Sequence, residues 1–424
     1  MTEIAPAGPV RGTVEVPGDK SISHRALLLN ALATGSARVR GLLRGEDVLR
    51  SLAAVRALGV QVDDDGTELV VHGTGKLVEP DDVIDCGNSG TTTRLLVGIL
   101  AAEPFFSVLT GDGSLRGRPM GRVVAPLRSL GARIDGRGDG TRCPLAIRGG
   151  GLRRGDHVLP VASAQVKTAL LLAGRREGAS VREPGVSRDH TERMLARMGA
   201  GLTVHDGGTH LVLEPVERLD PLDVDVPRDL SSAAFWLVAA SILPGSSLRL
   251  PRVLVNPTRA GVIDALQAMG AAVQVRPIEA AGAEPVADLE VTAAPLRGTR
   301  IAGDLALRCL DELPVLAVAA AFADGDTEIR DAEELRVKES DRIARVCVGL
   351  RALGVEVEEL PDGMIVRGGR PTGPARIDAR GDHRLAMAFA VAGCAAPGGV
   401  RIDGSEGVAT SYPGFWTDLS RLRA

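Results

Sequence analysis

Positively charged side chains return to one kind of address in this chain. Lys20 and Arg25 fall in GDKSISHR, Lys167 in SAQVK and Arg384 in RGDHR, each at or just inside the start of an apolar segment of helical length. An unpaired charge is costly to bury at such a place. A second set, Arg118, Arg188, Arg259 and Arg342, precedes a recurring glycine, with Lys338 close to the last of them. Helix starts present unpaired N–H groups and a partial positive charge, so several of them, lined with Ser, Thr, Asn and Gly that permit close approach, make an anion site. Arginine suits phosphate and carboxylate because its planar fork bonds two oxygens at once. Asn88, Ser163 and Ser231 each read first as N-caps when taken alone, and a single surface arginine is usually a solvated charge. The recurrence is what points to a shared site for more than one acidic group. Three acids stand among the cations: Asp311, Glu339 and Asp382. A carboxylate beside lysine can exchange a proton with a substrate if its neighbours tune it; Asp382 reads instead as a structural ion pair.

The elements that must position these residues repeat. An apolar helix, a stop and a short strand recur six times, as in ALATGSARVRG, LLAGRREGASVRE and AAAFADGDTEIRD; in VGILAAEPFFSVLTG the stop is Glu103-Pro104. In five of the six a second helix follows that ends at a glycine, Gly59, Gly131, Gly199, Gly270 and Gly354, at spacings of 68 to 84 residues. Strands about Asp-Gly turns come next, as in VQVDDDGTELVV. Strands also precede the first helices, as in GTVEVPG, DDVIDCG and DVDVPRD. The repeat is therefore strand, helix, strand, helix, strand, strand, which makes an α/β fold, and six repeats divide three and three into two similar domains with a seam near Pro227. First helices such as AAFWLVAASIL are apolar all round and belong inside; second helices such as VLRSLAAVRALG have a polar face and belong outside. Buried helices with outer sheets make an inside-out arrangement. Residues 276–287, RPIEAAGAEPVA, read as a surface loop inserted in the fourth repeat.

Composition limits the classes. The 424 residues carry 50 basic and 54 acidic side chains, a formal charge of -4, so no global field selects nucleic acid or an anionic membrane. The five cysteines are dispersed without CxxC spacing, which fits neither a disulfide framework nor a zinc site and suits a reducing compartment. No leader opens the sequence and no apolar run approaches the ~20 residues of a membrane span, so the expectation is a cytoplasmic protein. The expected partners are small molecules, and with aromatic residues only 2% of the chain a monomer is expected. No nucleotide-binding, zinc-protease or serine-hydrolase motif stands in its required context.

Six runs carry a resemblance along nearly the whole chain: PGDKSISHRALLLNALATG, CGNSGTTTRLL, GDGSLRGRPM, SAQVKTALLLAG, LRVKESDR and GDHRLAMAFAVAG, in this order. The sequence resembles the enolpyruvyl transferase family, and within it the EPSP synthases, in the subgroup that carries SAQ-x-K. The resemblance implies an inside-out α/β barrel fold of two domains, each of three βαβαββ units, joined by two crossovers. One domain would be 18–226, the other 1–17 plus 227–424, closed by the N-terminal strand, with the active site in the cleft between them. It implies transfer of the enolpyruvyl group of phosphoenolpyruvate to the 5-hydroxyl of shikimate 3-phosphate through a tetrahedral adduct, with neither cofactor nor metal. Lys20, Ser21, Arg25, Ser163, Ala164, Gln165, Lys167, Ser187, Arg188, Asp311 and Lys338 would then contact shikimate 3-phosphate. Lys20, Gly90, Arg118, Gln165, Arg342 and Arg384 would hold phosphoenolpyruvate, and Lys20, Asp311 and Glu339 would be catalytic.

Lys167 and Arg188 are expected to replace hydroxyl contacts to the phosphate that the better-known subgroup makes. Thr410, in VATSYPGF, stands where the family often has a cation, and Gly90 leaves room for the inhibitor glyphosate. Two rivals follow from the same residues. A sister enzyme acting on UDP-N-acetylglucosamine usually carries a cysteine in the loop that here reads GDGSLRGRPM, and no cysteine lies between Cys86 and Cys143. A noncatalytic anion-binding repeat scaffold would not need Lys20, Asp311, Glu339, Arg342 and Arg384 together at helix mouths.

Overall fold

Six helices have almost no face in water, and around them the chain arranges its sheets. The computed structural model describes residues 1–279 and 282–423. The inner helices are α1 (Lys20–Leu32), α2 (Gly90–Ala101), α3 (Ala164–Ala173), α4 (Leu230–Ile242), α5 (Leu313–Ala321) and α6 (His383–Ala395). In α4 every residue but Ile242 is buried. The second helices are one-sided: in Glu46–Ala57 the buried positions Asp47, Val48, Ser51, Leu52, Ala54 and Val55 form one stripe, with Arg50 and Arg56 outside. Each buried Leu or Val on such a stripe contributes about 1.5–3 kcal/mol. Gly59, Gly131, Gly199, Gly270 and Gly354 all have positive φ, from 81° to 106°. They end these helices in the left-handed conformation that costs glycine least.

The chain forms two compact units. One holds Gly18–Val226; the other holds Met1–Pro17 and nearly all that follows Pro227. In the first unit α2 and α3 pack so closely at Gly98 that an added Cβ would lie 2.2 Å from the Ala169 carbonyl oxygen, an overpacking that costs about 1–3 kcal/mol. In the second unit α4, α5 and α6 pack on one another in all pairs.

Among the described residues five sheets have four strands and one has three. In the second repeat the order is Ile84–Asp85, Phe106–Thr110, Arg142–Arg148, Arg133–Arg137; the first pair is parallel and the others antiparallel. This is the order expected of strand, helix, strand, helix, hairpin. Two strands exchange places, however. The strand of GTVEVPG, Arg11–Thr13, pairs with Ser247–Leu254 of the fourth repeat, and that of DVDVPRD, Val224–Asp225, pairs with Thr34–Arg40 of the first. Alternating hydrophobicity identifies a strand but not the sheet it joins. In the sixth repeat Thr2–Ile4 pairs antiparallel with Val400–Asp403, and the helix Phe415–Leu422 packs on the core where the other repeats have a hairpin. There Trp236 Nε1 donates to the Tyr412 hydroxyl at 3.1 Å.

The loop expected at 276–287 is shorter at both ends. Strands Ala272–Ile278 and Val286–Thr292 pair in continuous register, and only 279–285 connect them, of which 280 and 281 lie outside the described residues. Pro277 sits on the sheet's edge strand, where proline is tolerated.

Candidate active site

In the unit Gly18–Val226, three helix starts carry the expected residues. Asp19 caps α1, accepting the Ile22 N–H at 2.8 Å, and Lys20 forms an ion pair with Asp47 at 2.5 Å. Arg25, one turn on, is buried; its guanidinium donates to the hydroxyls of Thr191 (2.7 Å) and Thr168 (3.1 Å) and to the Ser21 carbonyl (3.1 Å). Beside it His24 is fully buried. Burial, then the nearby charges of Lys20 and Arg25, holds its pKa well below the usual 6.5.

At α2 the cap is Ser89, not Asn88, which instead accepts from Arg118 at 2.6 Å and donates to Asp112 at 2.7 Å. Gly90, the first helical residue, is bracketed by two guanidinium groups. An added Cβ would lie 3.0 Å from Arg94 Nη1 and 3.2 Å from Arg118 Nη1. Arg94 donates to Gln165 Oε1 at 2.8 Å, and Gln165 Nε2 donates to Thr91 at 2.9 Å. Thus Gly90, Arg118 and Gln165 are brought together, and Arg94, which is not among the expected site residues, joins them. Its signal was available: it lies one helical turn after Gly90, on the same face.

Ser163 caps α3 as expected, and Ala164 is its first residue. Lys167 is different from its expected role. Its ammonium is 0% exposed and bound by Glu183 (2.9 Å), Glu192 (2.7 Å) and the Ser187 carbonyl (3.3 Å). Burial alone would lower the lysine pKa, but the two carboxylates outweigh it and raise it; burial raises that of Glu192.

The second unit gathers the acids. Arg342, first in the helix Arg342–Ala352 and 1% exposed, reaches Asp382 (2.9 and 3.3 Å), Glu339 (2.6 Å) and Asp311 (3.5 Å). Asp382 is the N-cap of α6, accepting the Arg384 N–H at 3.0 Å. Burial opposes its charge, yet Arg342 holds its pKa below the usual value, which suits the structural role. Arg384 donates to the Asp311 carbonyl at 3.0 Å and approaches Glu312 at 3.4 Å; its side chain is 12% exposed, so it is the more accessible of the two arginines. Lys338 is half-buried, and that burial lowers its pKa against the pull of Asp311, Glu334 and Glu339. At α4 the cap is Asp229 rather than Ser231, and Arg259 binds both at 2.7 and 2.6 Å.

One unit therefore offers cations beside two helix starts, Lys20 and Arg25 at α1 and Arg94 and Arg118 at α2, and the other offers two carboxylates, Asp311 and Glu339, tethered to arginine beside a lysine of lowered pKa. The first arrangement suits acidic substrates, the second proton transfer. The sequence model of the family described as EPSP synthase (3-phosphoshikimate 1-carboxyvinyltransferase) matches residues 4–419. The chain belongs to the EPSP synthase family. Among its relatives, the 3-phosphoshikimate 1-carboxyvinyltransferase of Herpetosiphon aurantiacus is 52% identical, covering 99% of both chains, and that of Chloroflexus aggregans is 54% identical, covering 100% of this chain and 99% of the relative. A solved EPSP synthase from Acinetobacter baumannii has a TM-score of 0.88 at 41% identity, covering 99% of this chain and 97% of that one. The enolpyruvyl transferase NikO from Streptomyces tendae, at 20% identity and a TM-score of 0.77, shares the fold over 99% of this chain and 96% of its own. The inside-out α/β architecture is thus that of the EPSP synthases.

Proposed function

We propose that this chain transfers the enolpyruvyl group of phosphoenolpyruvate to the 5-hydroxyl of shikimate 3-phosphate, releasing inorganic phosphate. The observation that carries the reading is the family match over residues 4–419, which spans both residue sets. The two sets act on one pair of substrates. Lys20, Ser21, Arg25, Ser163, Gln165 and Arg188 hold shikimate 3-phosphate, with Asp311 and Lys338 on its ring hydroxyls. Phosphoenolpyruvate is held by Gly90, Arg118, Gln165, Arg342 and Arg384.

The 5-hydroxyl oxygen bonds to C2 of phosphoenolpyruvate while Asp311 takes its proton and C3 gains one, giving a methyl group on a tetrahedral carbon. The C2–O bond to phosphate then breaks as C3 loses a proton, leaving a vinyl ether and phosphate. Glu339 and Lys20 move the protons at C3 and at the leaving phosphate. Bond and charge counts close with exchangeable protons alone. Fixed cations stabilise the charge that gathers on phosphate, and alignment of the two reactants supplies much of the remaining acceleration.

We place the enzyme in the cytoplasm as a monomer. All five cysteines are buried as free thiols, which suits a reducing compartment. The test offers phosphoenolpyruvate with shikimate 3-phosphate or UDP-N-acetylglucosamine and measures phosphate. Release with shikimate 3-phosphate alone is expected; release only with the UDP-sugar, or with neither, overturns the reading.

A further inference from the structure

Glu183 follows the strand Ala179–Arg182 and has no place in the assignments above, yet it joins several of them. Its side chain is 1% exposed. It accepts the Ser163 N–H at 2.6 Å and the Ser187 hydroxyl at 2.9 and 2.7 Å, and it lies 2.9 Å from the Lys167 ammonium. An ammonium has three protons, and here Glu183, Glu192 and the Ser187 carbonyl take them, so Lys167 has none left for a ligand. The single hydroxyl proton of Ser187 is likewise spent on Glu183. Ser163 differs: it gives Glu183 only its backbone N–H, while its hydroxyl accepts the Val166 N–H at 3.4 Å and keeps its own proton.

We propose that Glu183 is a positioning residue of the shikimate 3-phosphate site: it pins Ser163 and Ser187 so that the Ser163 hydroxyl donates to the phosphate, and Lys167 serves as its counter-ion rather than as a phosphate ligand. This rests on the function proposed above and refines it. The arrangement follows from cost. A lone buried carboxylate is unstable, and one that gathers an N–H, a hydroxyl and an ammonium fixes three chain segments at once. The segments are the start of α3, the loop at Ser187 and, through Lys167 and Glu192, the helix His190–Arg197.

The experiment measures shikimate 3-phosphate binding by calorimetry, together with kcat and both KM values, for wild type, Glu183→Gln, Glu183→Asp, Lys167→Met and the Glu183→Gln/Lys167→Met pair. Glu183→Gln keeps the size but loses the charge. It is expected to weaken shikimate 3-phosphate binding and raise its KM roughly tenfold, the loss of one charge-assisted hydrogen bond. The kcat and the phosphoenolpyruvate KM should stay near wild type. Glu183→Asp, which keeps the charge and the buried pair, should shift the same constant in the same direction should the Gln variant fail to fold. The double variant is expected to bind no worse than the weaker single variant. Binding losses that multiply would make Lys167 a ligand in its own right and overturn the proposal. So would Glu183 variants that melt earlier but bind shikimate 3-phosphate as wild type does. A wild type that releases no phosphate with shikimate 3-phosphate sinks the functional reading itself; an active wild type with indifferent Glu183 variants sinks only this inference.

Discussion

Gly90→Ala probes the place where Gly90, Arg118 and Gln165, three of the proposed phosphoenolpyruvate contacts, lie together. The new methyl would sit 3.0 Å from Arg94 Nη1 and 3.2 Å from Arg118 Nη1, closer than the ~3.5–4.0 Å of ordinary carbon contacts. Both obstacles are ends of flexible side chains, so α2 stays and the guanidinium groups retreat by tenths of an ångström. Arg118 is anchored on Asn88 at 2.6 Å and Arg94 on Gln165 at 2.8 Å. A hydrogen bond to a charged group is worth about 1.5–3 kcal/mol. Loosening such a contact with the substrate by about 1 kcal/mol raises the phosphoenolpyruvate KM roughly fivefold. Gly90 has helical backbone, where alanine is the better helix former by up to ~1 kcal/mol, so the melting temperature should not fall. Steady-state kinetics with each substrate varied, alongside a melting curve, reads all of this; glyphosate inhibition should weaken in the same variant. An unchanged phosphoenolpyruvate KM, or an equal rise for shikimate 3-phosphate, refutes the placement.

Other outcomes follow from the same geometry. Arg342→Met leaves Asp382, Asp311 and Glu339 without their shared cation, and removing one partner of a buried pair costs about 3–5 kcal/mol; an unchanged melting temperature contradicts the cluster. Because burial lowers the Lys338 pKa, the amine discharges below the pH of a free lysine, and kcat/KM for shikimate 3-phosphate should fall on the alkaline side. Lys338→Arg, always charged, should move that limb upward; a limb that stays in place removes Lys338 from the step. The protonated amine also costs stability below its folded pKa, a cost that fades as pH rises through it. His24 stays neutral in the fold but protonates when unfolded, so its contribution is present above 6.5 and lost as pH falls toward its lower folded pKa. His24→Asn should therefore shift the acid unfolding midpoint, followed by circular dichroism, to lower pH; a midpoint that stays or rises contradicts this.

The repeat was legible because it is written locally: an apolar helix, a glycine at positive φ and an Asp-Gly hairpin each depend on near neighbours. The exchange of Arg11–Thr13 and Val224–Asp225 was not legible from pattern, since pairing partners lie some 200 residues away in sequence. The cations at helix starts stood out because charge and apolar runs clash in plain view. Arg94 and Glu183 did not, because a single Arg on a helix and a Glu before Pro184 look like solvated surface until Gln165 and Lys167 are seen against them. The caps were misplaced by one or two residues at Asn88 and Ser231. Ser, Asn and Asp compete for that position, and only backbone angles decide among them.

Asp311 bears most directly on the proposal that its carboxylate takes the proton of the attacking 5-hydroxyl. With Asp311→Asn, shikimate 3-phosphate should bind nearly as in wild type, while phosphate release from phosphoenolpyruvate falls on the order of 100-fold or more, the usual share of a general base. An Asp311→Asn enzyme that turns over at the wild-type rate contradicts the account.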